Sequence, residues 1–304
     1  MVLGIVTNMN RLNVSLFSDI LNVVENVTKP ISVANVIPPA SVTASNVTFH
    51  CKQARLMNMT FPICLYDAKT DGTVSRLLLH GTYYEASEIE RFLRLLRSDR
   101  RLQLVDIGAN VGLWSLPAAR VTQVISVEPN WRSISRLARA VDIGTVASNV
   151  TLIHNAVSDV RTTLNMGVYP TNQGNAFLIN ATKCTKTPIG LHCNTLPAVD
   201  TILLNDLLPL MRSTAALMKV DVESHEGHVF TNSSAGQFFD HVNVPLVLME
   251  WKYCKRTNVV RRLLNFFYSR NYAAFDFDNS KLNKQLYRSW PNNVLFKKPK
   301  YLRF

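Results

Sequence analysis

From Leu102 onward the chain alternates short apolar runs with stretches whose apolar residues recur at helical spacing. Runs at 102–107, 123–128, 150–154, 215–221, 244–250, 272–277 and 293–298 have the length and composition of strands. Helical patterns begin between them near Val111, Asn130, His225 and Arg256. This βα rhythm predicts a Rossmann-like, doubly wound α/β sheet, mostly parallel and covered on both faces. The last run, "NNVLFKK", follows its predecessor through a polar loop with no clear helix. A parallel neighbour needs a long crossover, so this strand is expected to enter the sheet antiparallel.

Upstream, Ile89, Phe92, Leu93, Leu95 and Leu96 form an apolar stripe that predicts a helix from Ala86 to Arg97. Residues 1–48 are rich in Asn, Val, Thr, Ser and Pro with weak periodicity, which suits a stalk or linker. The ordered body is expected over 49–304, with a lead-in at 49–101 and the Rossmann-like core at 102–304. The connection 160–212 carries Gly, Pro and Asn, and connections of that length are often functional.

With 304 residues, of which 47% are apolar, the chain can bury a sizeable core, and disorder throughout is excluded. Its charge of +12 favours acidic partners or simply makes a soluble basic surface. The basic residues read as scattered except in "RFLRLLRSDRR" (91–101) and "KRTNVVRR" (255–262), whose spacing suits the solvated faces of amphipathic helices. Sequons at Asn13, Asn26, Asn46, Asn58, Asn149, Asn180 and Asn232 suggest a glycoprotein. The close cysteine pairs Cys51/Cys64 and Cys184/Cys193 could each close a disulfide, with Cys254 left as a small buried hydrophobe. Together these lean toward the secretory lumen, such as the Golgi, or secretion, with the cytoplasm as the alternative. The N-terminal "MVLGIVTNMNRLNVSLF" has neither a basic n-region before an unbroken apolar core nor a spanning run.

The chemistry starts at "LVDIGANVG", where the first core strand runs into a turn bracketed by Gly108 and Gly112. Such a turn lies at the carboxyl edge of the sheet, where ligands bind. A dinucleotide site would show G-x-G-x-x-G; here Asp106 precedes the turn, repelling phosphate and favouring a cation such as a ligand with an ammonium and a sulfonium. Glu128 in "SVEPN" stands 20 residues beyond Gly108, where α/β nucleoside sites hold the ribose hydroxyls. Asn155, after "VTLIH", has an amide carbonyl that could accept from an adenine amino group. "ALMKVDVESHEG" puts Asp221 at a strand end, followed by Glu223, Ser224, His225 and Glu226. Asp221 needs a partner there; Glu223 and Ser224 could instead cap the next helix. The spacing of Asp221, His225, Glu226 and His228 matches no zinc pattern.

In order, "VDIGANVGLWSL", "VISVEPN", "NAVSD", "VDTILLNDLL", "MKVDVESHEG" and "VPLVLMEW" resemble the FkbM-type S-adenosylmethionine-dependent methyltransferases, of the seven-stranded class I fold. The resemblance covers about residues 74–298, and "PICLYDAKTDGTVSRLLLHGTYYE" resembles the lead-in of animal members. The family's D-[IV]-E-G-x-E appears with Ser224 in place of the glycine. The resemblance implies that Asp106, Gly108, Asn110 and Gly112 cradle the methionine end of the cofactor, Glu128 holds the ribose, Asn155 lies near adenine and Glu85 closes the pocket. It also implies O-methylation of a hydroxyl, on a glycan or other conjugated acceptor.

For in-line methyl transfer the enzyme positions the acceptor oxygen and removes its proton. Asp221 is the expected catalytic residue, assisted by Glu223 or His225. A ribose 2′-O-methyltransferase acting on RNA through Asp221 and Lys252 is the first rival, disfavoured by the want of an aromatic-interleaved basic patch. A binding module that kept the fold and lost activity through Ser224 is the second. A dehydrogenase is more distant still, because the glycine pattern does not suit pyrophosphate.

Overall fold

A computed structural model describes residues 34–43, 48–179 and 193–299. In chain order the strands are β1 (Val36–Ile37), β2 (His50–Leu56), β3 (Met59–Leu65), β4 (Leu102–Ile107), β5 (Val124–Val127), β6 (Val150–Ile153) and β7 (Ala156–Val157). They continue with β8 (Thr163–Tyr169), β9 (Asn172–Ile179), β10 (Asn194–Ile202), β11 (Ala215–Val220), β12 (Asn243–Glu250), β13 (Ala273–Phe275) and β14 (Asn293–Lys297).

Each of the seven expected runs is a strand of the main sheet, whose order is β1-β6-β5-β4-β11-β12-β14-β13. β4, β5, β6, β11 and β12 pair in parallel, and β14 runs antiparallel to both neighbours. Alternation along these buried strands divides the core. Leu104, Leu217 and Leu248 face a layer with the helices Ala86–Ser98 and Trp131–Ile143, through Phe92, Leu96, Ile134 and Leu137. Val105, Met218 and Val247 face the opposite layer, with Phe230, Phe238, Leu263 and Phe267 from the helices after β11 and β12. The sheet is buried on both sides, as continuous apolar strands require.

Two features depart from the sequence expectations. Val36–Ile37, inside the stretch read as a linker, add an eighth, antiparallel strand on β6, where Ile37 joins the core. Two residues are too few to show a period in sequence; Pro39–Thr43 follow as a short helix, and 1–33 and 44–47 lie outside the described residues. The connection 160–212 contributes most of a second sheet, ordered β7-β10-β8-β9. Its strands expose many side chains and carry Thr, Asn and Gly, so composition mimics a loop while backbone pairing makes a sheet. The lead-in contains the β2–β3 hairpin, with Cys51 and Cys64 directly opposed and disulfide-bonded. Cys184 lies outside the described residues, and with it the second expected pair. Cys254 is free and buried, as a small hydrophobe would be.

Three sequons fall within the described residues. The Asn149 amide bonds Ala119 O and Gln123, and the Asn232 amide bonds Asp159 O and caps a helix through Ala235 N. Asn58 is exposed between β2 and β3.

Candidate active site

A cavity of about 290 Å³ opens at the carboxyl edge of the parallel strands. Ile107–Asn110 after β4, Val127–Pro129 after β5, Asn155–Val157 after β6, Asp221–Glu223 after β11 and Glu250 at the end of β12 form its floor and walls. Tyr84 and Glu85 from the lead-in, and Gly174 to Leu178 from β9, complete the lining. This is the edge where an open α/β sheet offers its switch in strand order. The cavity is near the lower end of the range for small-molecule sites.

Glycine is required at position 108 by two independent constraints. Its φ is +83°, and a Cβ there would lie 1.8 Å from the Asp221 carbonyl oxygen. The ends of β4 and β11 therefore touch beneath the cavity, which brings the Gly-rich turn against Asp221. Gly112 (φ +91°) does not line the cavity; a Cβ would meet Leu137 Cδ1 at 2.4 Å, so it serves helix packing. Asp106 also departs from expectation. It is fully buried, accepts from Ser115 Oγ at 2.6 Å, and lies 3.7 Å from Lys219 Nζ. The cation that Asp106 calls for is thus the chain's own Lys219, and burial raises the Asp106 carboxyl pKa against that attraction.

Lys219 is the polar centre that the sequence reading missed. Its ammonium donates to Gly108 O at 2.8 Å and lies 3.5 Å from Asp221 Oδ2, with 8% of its side chain exposed. Burial alone would lower its pKa, but Asp221, Asp106, Glu85 and Glu128 together raise it. A lysine inside the apolar run "ALMKV" was the available signal, because a buried ammonium needs carboxylates around it. Asp221 therefore pairs with Lys219. Lys252, its expected partner under the RNA reading, is exposed and sits 4.7 Å from the Tyr253 ring.

Glu128 accepts from Asn110 N and Asn130 N, both at 2.8 Å, and burial pushes its pKa up to about 7. The turn holding it uses Asn110 at φ +50°, a conformation asparagine tolerates. Asn155 lines the cavity, but its Oδ1 accepts from Asn35 N at 2.7 Å and its Nδ2 donates to Asp200 O at 3.0 Å. It ties the segment before β1 to β10, so its side chain is structurally committed rather than left free for a base. Glu85, at φ +55° before its helix, accepts from Trp114 Nε1 at 2.8 Å and from Asn293 Nδ2 at 3.4 Å. Burial raises its pKa.

Carboxylate oxygens of Asp221, Glu223 and Glu250, which also line the cavity, all lie within 4.8 Å of one another. Burial, then Asp221 and neighbouring carboxylates, push Glu223 to about 8 and Glu250 to about 9. Asn175 of β9 donates to Glu223, and Tyr84 stands close enough that burial and these acids lift its hydroxyl to about 12. Glu250 ends an apolar strand just as Asp221 does, a signal that the sequence reading used only for Asp221. Backbone angles in this turn are unusual: Glu223 and Ser224 have φ of +51° and +83°. Both Val222 N and Ser224 N donate to Glu226 Oε1, which holds the turn. His225 borders the cavity, yet its Nε2 lies 2.9 Å from Ser158 Oγ and its ring stacks on His228. Burial and then His228 depress its pKa to about 4, which leaves a weak base at neutral pH.

The strand order defines the chain as a Rossmann-like α/β protein, with a cavity at the carboxyl edge of its sheet. No protein-family model matches the chain, and no curated protein matches it. Among solved structures it is similar to the FkbM methyltransferase of Methylobacillus flagellatus KT, with 14% identity and a TM-score of 0.40 over 64% of this chain. It spans 43% of that structure's length. It is also similar to a T. thermophilus 16S rRNA methyltransferase in complex with AdoMet and guanosine (14% identity, TM-score 0.37, 84% of this chain and 52% of that one). A SAM-dependent methyltransferase from Agrobacterium tumefaciens gives 9% identity and a TM-score of 0.38, over 72% of this chain and 60% of that one.

Proposed function

We propose that this chain is an S-adenosylmethionine-dependent methyltransferase that methylates a hydroxyl of a glycan or other conjugated acceptor. The observation that carries the reading is the charge of the cavity. Five carboxyl groups line it, those of Glu85, Glu128, Asp221, Glu223 and Glu250, against the ammonium groups of Lys219 and Lys252. Ionised as a cationic ligand enters, these carboxyls are complementary to a nucleoside with an ammonium and a sulfonium, whereas a pyrophosphate could draw only on the two ammonium groups. Glu128 would hold the ribose hydroxyls on lone pairs left by its two backbone donors. Glu85 and Asp221 would face the cationic end, across the Gly108 turn. When bound, the cofactor supplies an electrophilic methyl group.

The remaining chemistry falls to the chain's own residues. Asp221, Glu223 and Glu250 surround the place where an acceptor hydroxyl would sit, and Asp221 orients it and takes its proton. Asn175 and the turn 222–226 fix Glu223, while His225 braces the turn from outside through Ser158. Ser224 holds a left-handed conformation, so the glycine replacement leaves a path with φ > 0 intact, which favours an active enzyme over a degenerate module. The Cys51–Cys64 bridge supports an oxidising compartment, and no helix among the described residues is long and apolar enough to cross a membrane. Labelled methyl donor incubated with glycan, small-molecule and RNA pools tests the reading. Asp221→Asn should reduce turnover about tenfold or more while leaving donor affinity nearly unchanged; undiminished turnover would remove Asp221 from the mechanism.

A further inference from the structure

The positive charge is far more concentrated than its scattered appearance in sequence suggests. Residues 251–304 hold 13 basic and two acidic side chains, so this segment carries +11 of the chain's +12. The fold gathers much of its described part onto one face beginning at the cavity mouth. Lys252 and Tyr253 line that mouth. The short 3-10 turns Cys254–Arg256 and Lys284–Ser289 pack together, with Trp251 Nε1 donating to Tyr287 O and Lys255 Nζ to Trp290 O, both at 2.7 Å. Arg261 and Arg288 then line a second groove of about 320 Å³ with Tyr287 and Leu286. Beside it, Lys284 Nζ lies 4.6 Å from the Tyr268 ring.

Lys252, Arg256, Arg261, Lys284 and Arg288 are all exposed, and none makes an ion pair among the described residues. Asp278, one of the two acids, instead lines a pocket with Arg91 and Arg94 of the Ala86–Ser98 helix. Apart from Lys252, which lies near Glu223 and Glu250, these like charges are assembled without acidic partners among the described residues and repel one another, and a polyanion laid across them removes that repulsion. Lys252, Lys284 and Arg288 also sit over or beside tyrosine rings, giving the aromatic-interleaved pattern absent from the linear sequence.

We infer that this face binds an acidic glycan, sulfated or rich in uronic acid, and leads one of its hydroxyls into the cavity. Binding of a polyanion follows from the surface, its being a glycan rests also on the disulfide, and delivery of a hydroxyl to the cavity rests on the methyltransferase reading. A glycan is favoured over RNA because the Cys51–Cys64 disulfide points toward an oxidising compartment, where the abundant polyanions are glycans. A membrane surface is disfavoured because Tyr253 and Leu286 are the exposed large hydrophobics on this face, too few for an interfacial anchor.

The test measures binding of the full chain, at about 0.15 M salt, to a heparin oligosaccharide, a hyaluronate oligosaccharide, a single-stranded RNA of similar charge, and phosphatidylserine vesicles. At least one oligosaccharide should bind more tightly than RNA or vesicles, and the double variant Arg261→Gln/Arg288→Gln should weaken it about tenfold. Arg256→Gln/Lys284→Gln is the independent second pair, and thermal melting establishes that each variant is folded. No oligosaccharide binding, tighter binding to RNA or vesicles, or full binding by folded variants would overturn the proposal. Calorimetry with S-adenosylhomocysteine on the same samples separates the two readings: donor-site binding without glycan binding sinks the surface alone, and glycan binding without donor-site binding sinks the methyltransferase alone.

Discussion

Ser224 occupies a backbone position that glycine would fill at lower cost, which makes Ser224→Gly an informative substitution. At φ +83°, directly after Glu223 at +51°, the serine Cβ is crowded by its own backbone. Such a residue costs about 1–2 kcal/mol relative to an ordinary conformation. Glycine would lose about 0.4–1 kcal/mol of this gain because its unfolded chain is freer. The serine side chain is exposed and the bond that anchors the turn, Ser224 N to Glu226 Oε1 at 3.3 Å, is made by backbone and would survive. The net expectation is a gain of about 0.5–1 kcal/mol, or roughly 1–3 °C in a thermal melt of a protein this size. Chemical denaturation should show a higher midpoint with an unchanged slope. A lower midpoint would refute the reasoning, since it would mean that the serine is making an interaction that outweighs the strain.

Three further outcomes are expected. Glu223 and Glu250 are held at about 8 and 9, above their usual 4.5, so the ligand-free folded protein binds more protons than the unfolded chain between these limits. Their contribution to stability is complete below the unfolded value and is lost as pH rises through 8 to 9, so the melting temperature should fall over that window. Affinity for a cationic ligand should rise over the same range, and binding near pH 7 should release protons, detected as a buffer-dependent calorimetric enthalpy. The Cys51–Cys64 bridge closes a loop with a sequence separation of 13, so reduction under native conditions should cost about 3 kcal/mol, read as a lower melting temperature with dithiothreitol.

The seven strands of the Rossmann-like core were legible because most of their residues are buried and they read as predominantly apolar runs, as in "LQLVDI" and "AALMKV". The second sheet was hidden by the opposite circumstance: β8 and β9 leave side chains half-exposed and use Asn, Thr and Gly, the vocabulary of loops. The helix expected from Val111 is only Ser115–Ala118 within a longer series of turns, its path set by Gly112 packing on Leu137. In the site, strand-end acids such as Asp221 and Glu128 stood out because polar groups at the ends of buried runs need partners. Which partner each takes is tertiary information. Asp106 meets Lys219 across neighbouring strands, and Asn155 meets Asn35 at a separation of 120 residues. The surface charge of the C-terminal segment was countable in sequence, but its gathering beside the cavity depends on two 3-10 turns packing together.

The central claim is that the acidic cavity at the carboxyl edge holds S-adenosylmethionine, with Glu128 on its ribose. Titration calorimetry of that compound into the wild-type chain and into Glu128→Ala tests it most directly. Saturable binding by the wild type, weakened about tenfold or more in the folded variant, is the predicted result. Absence of binding by the wild type, or equal affinity in the variant, would contradict the account.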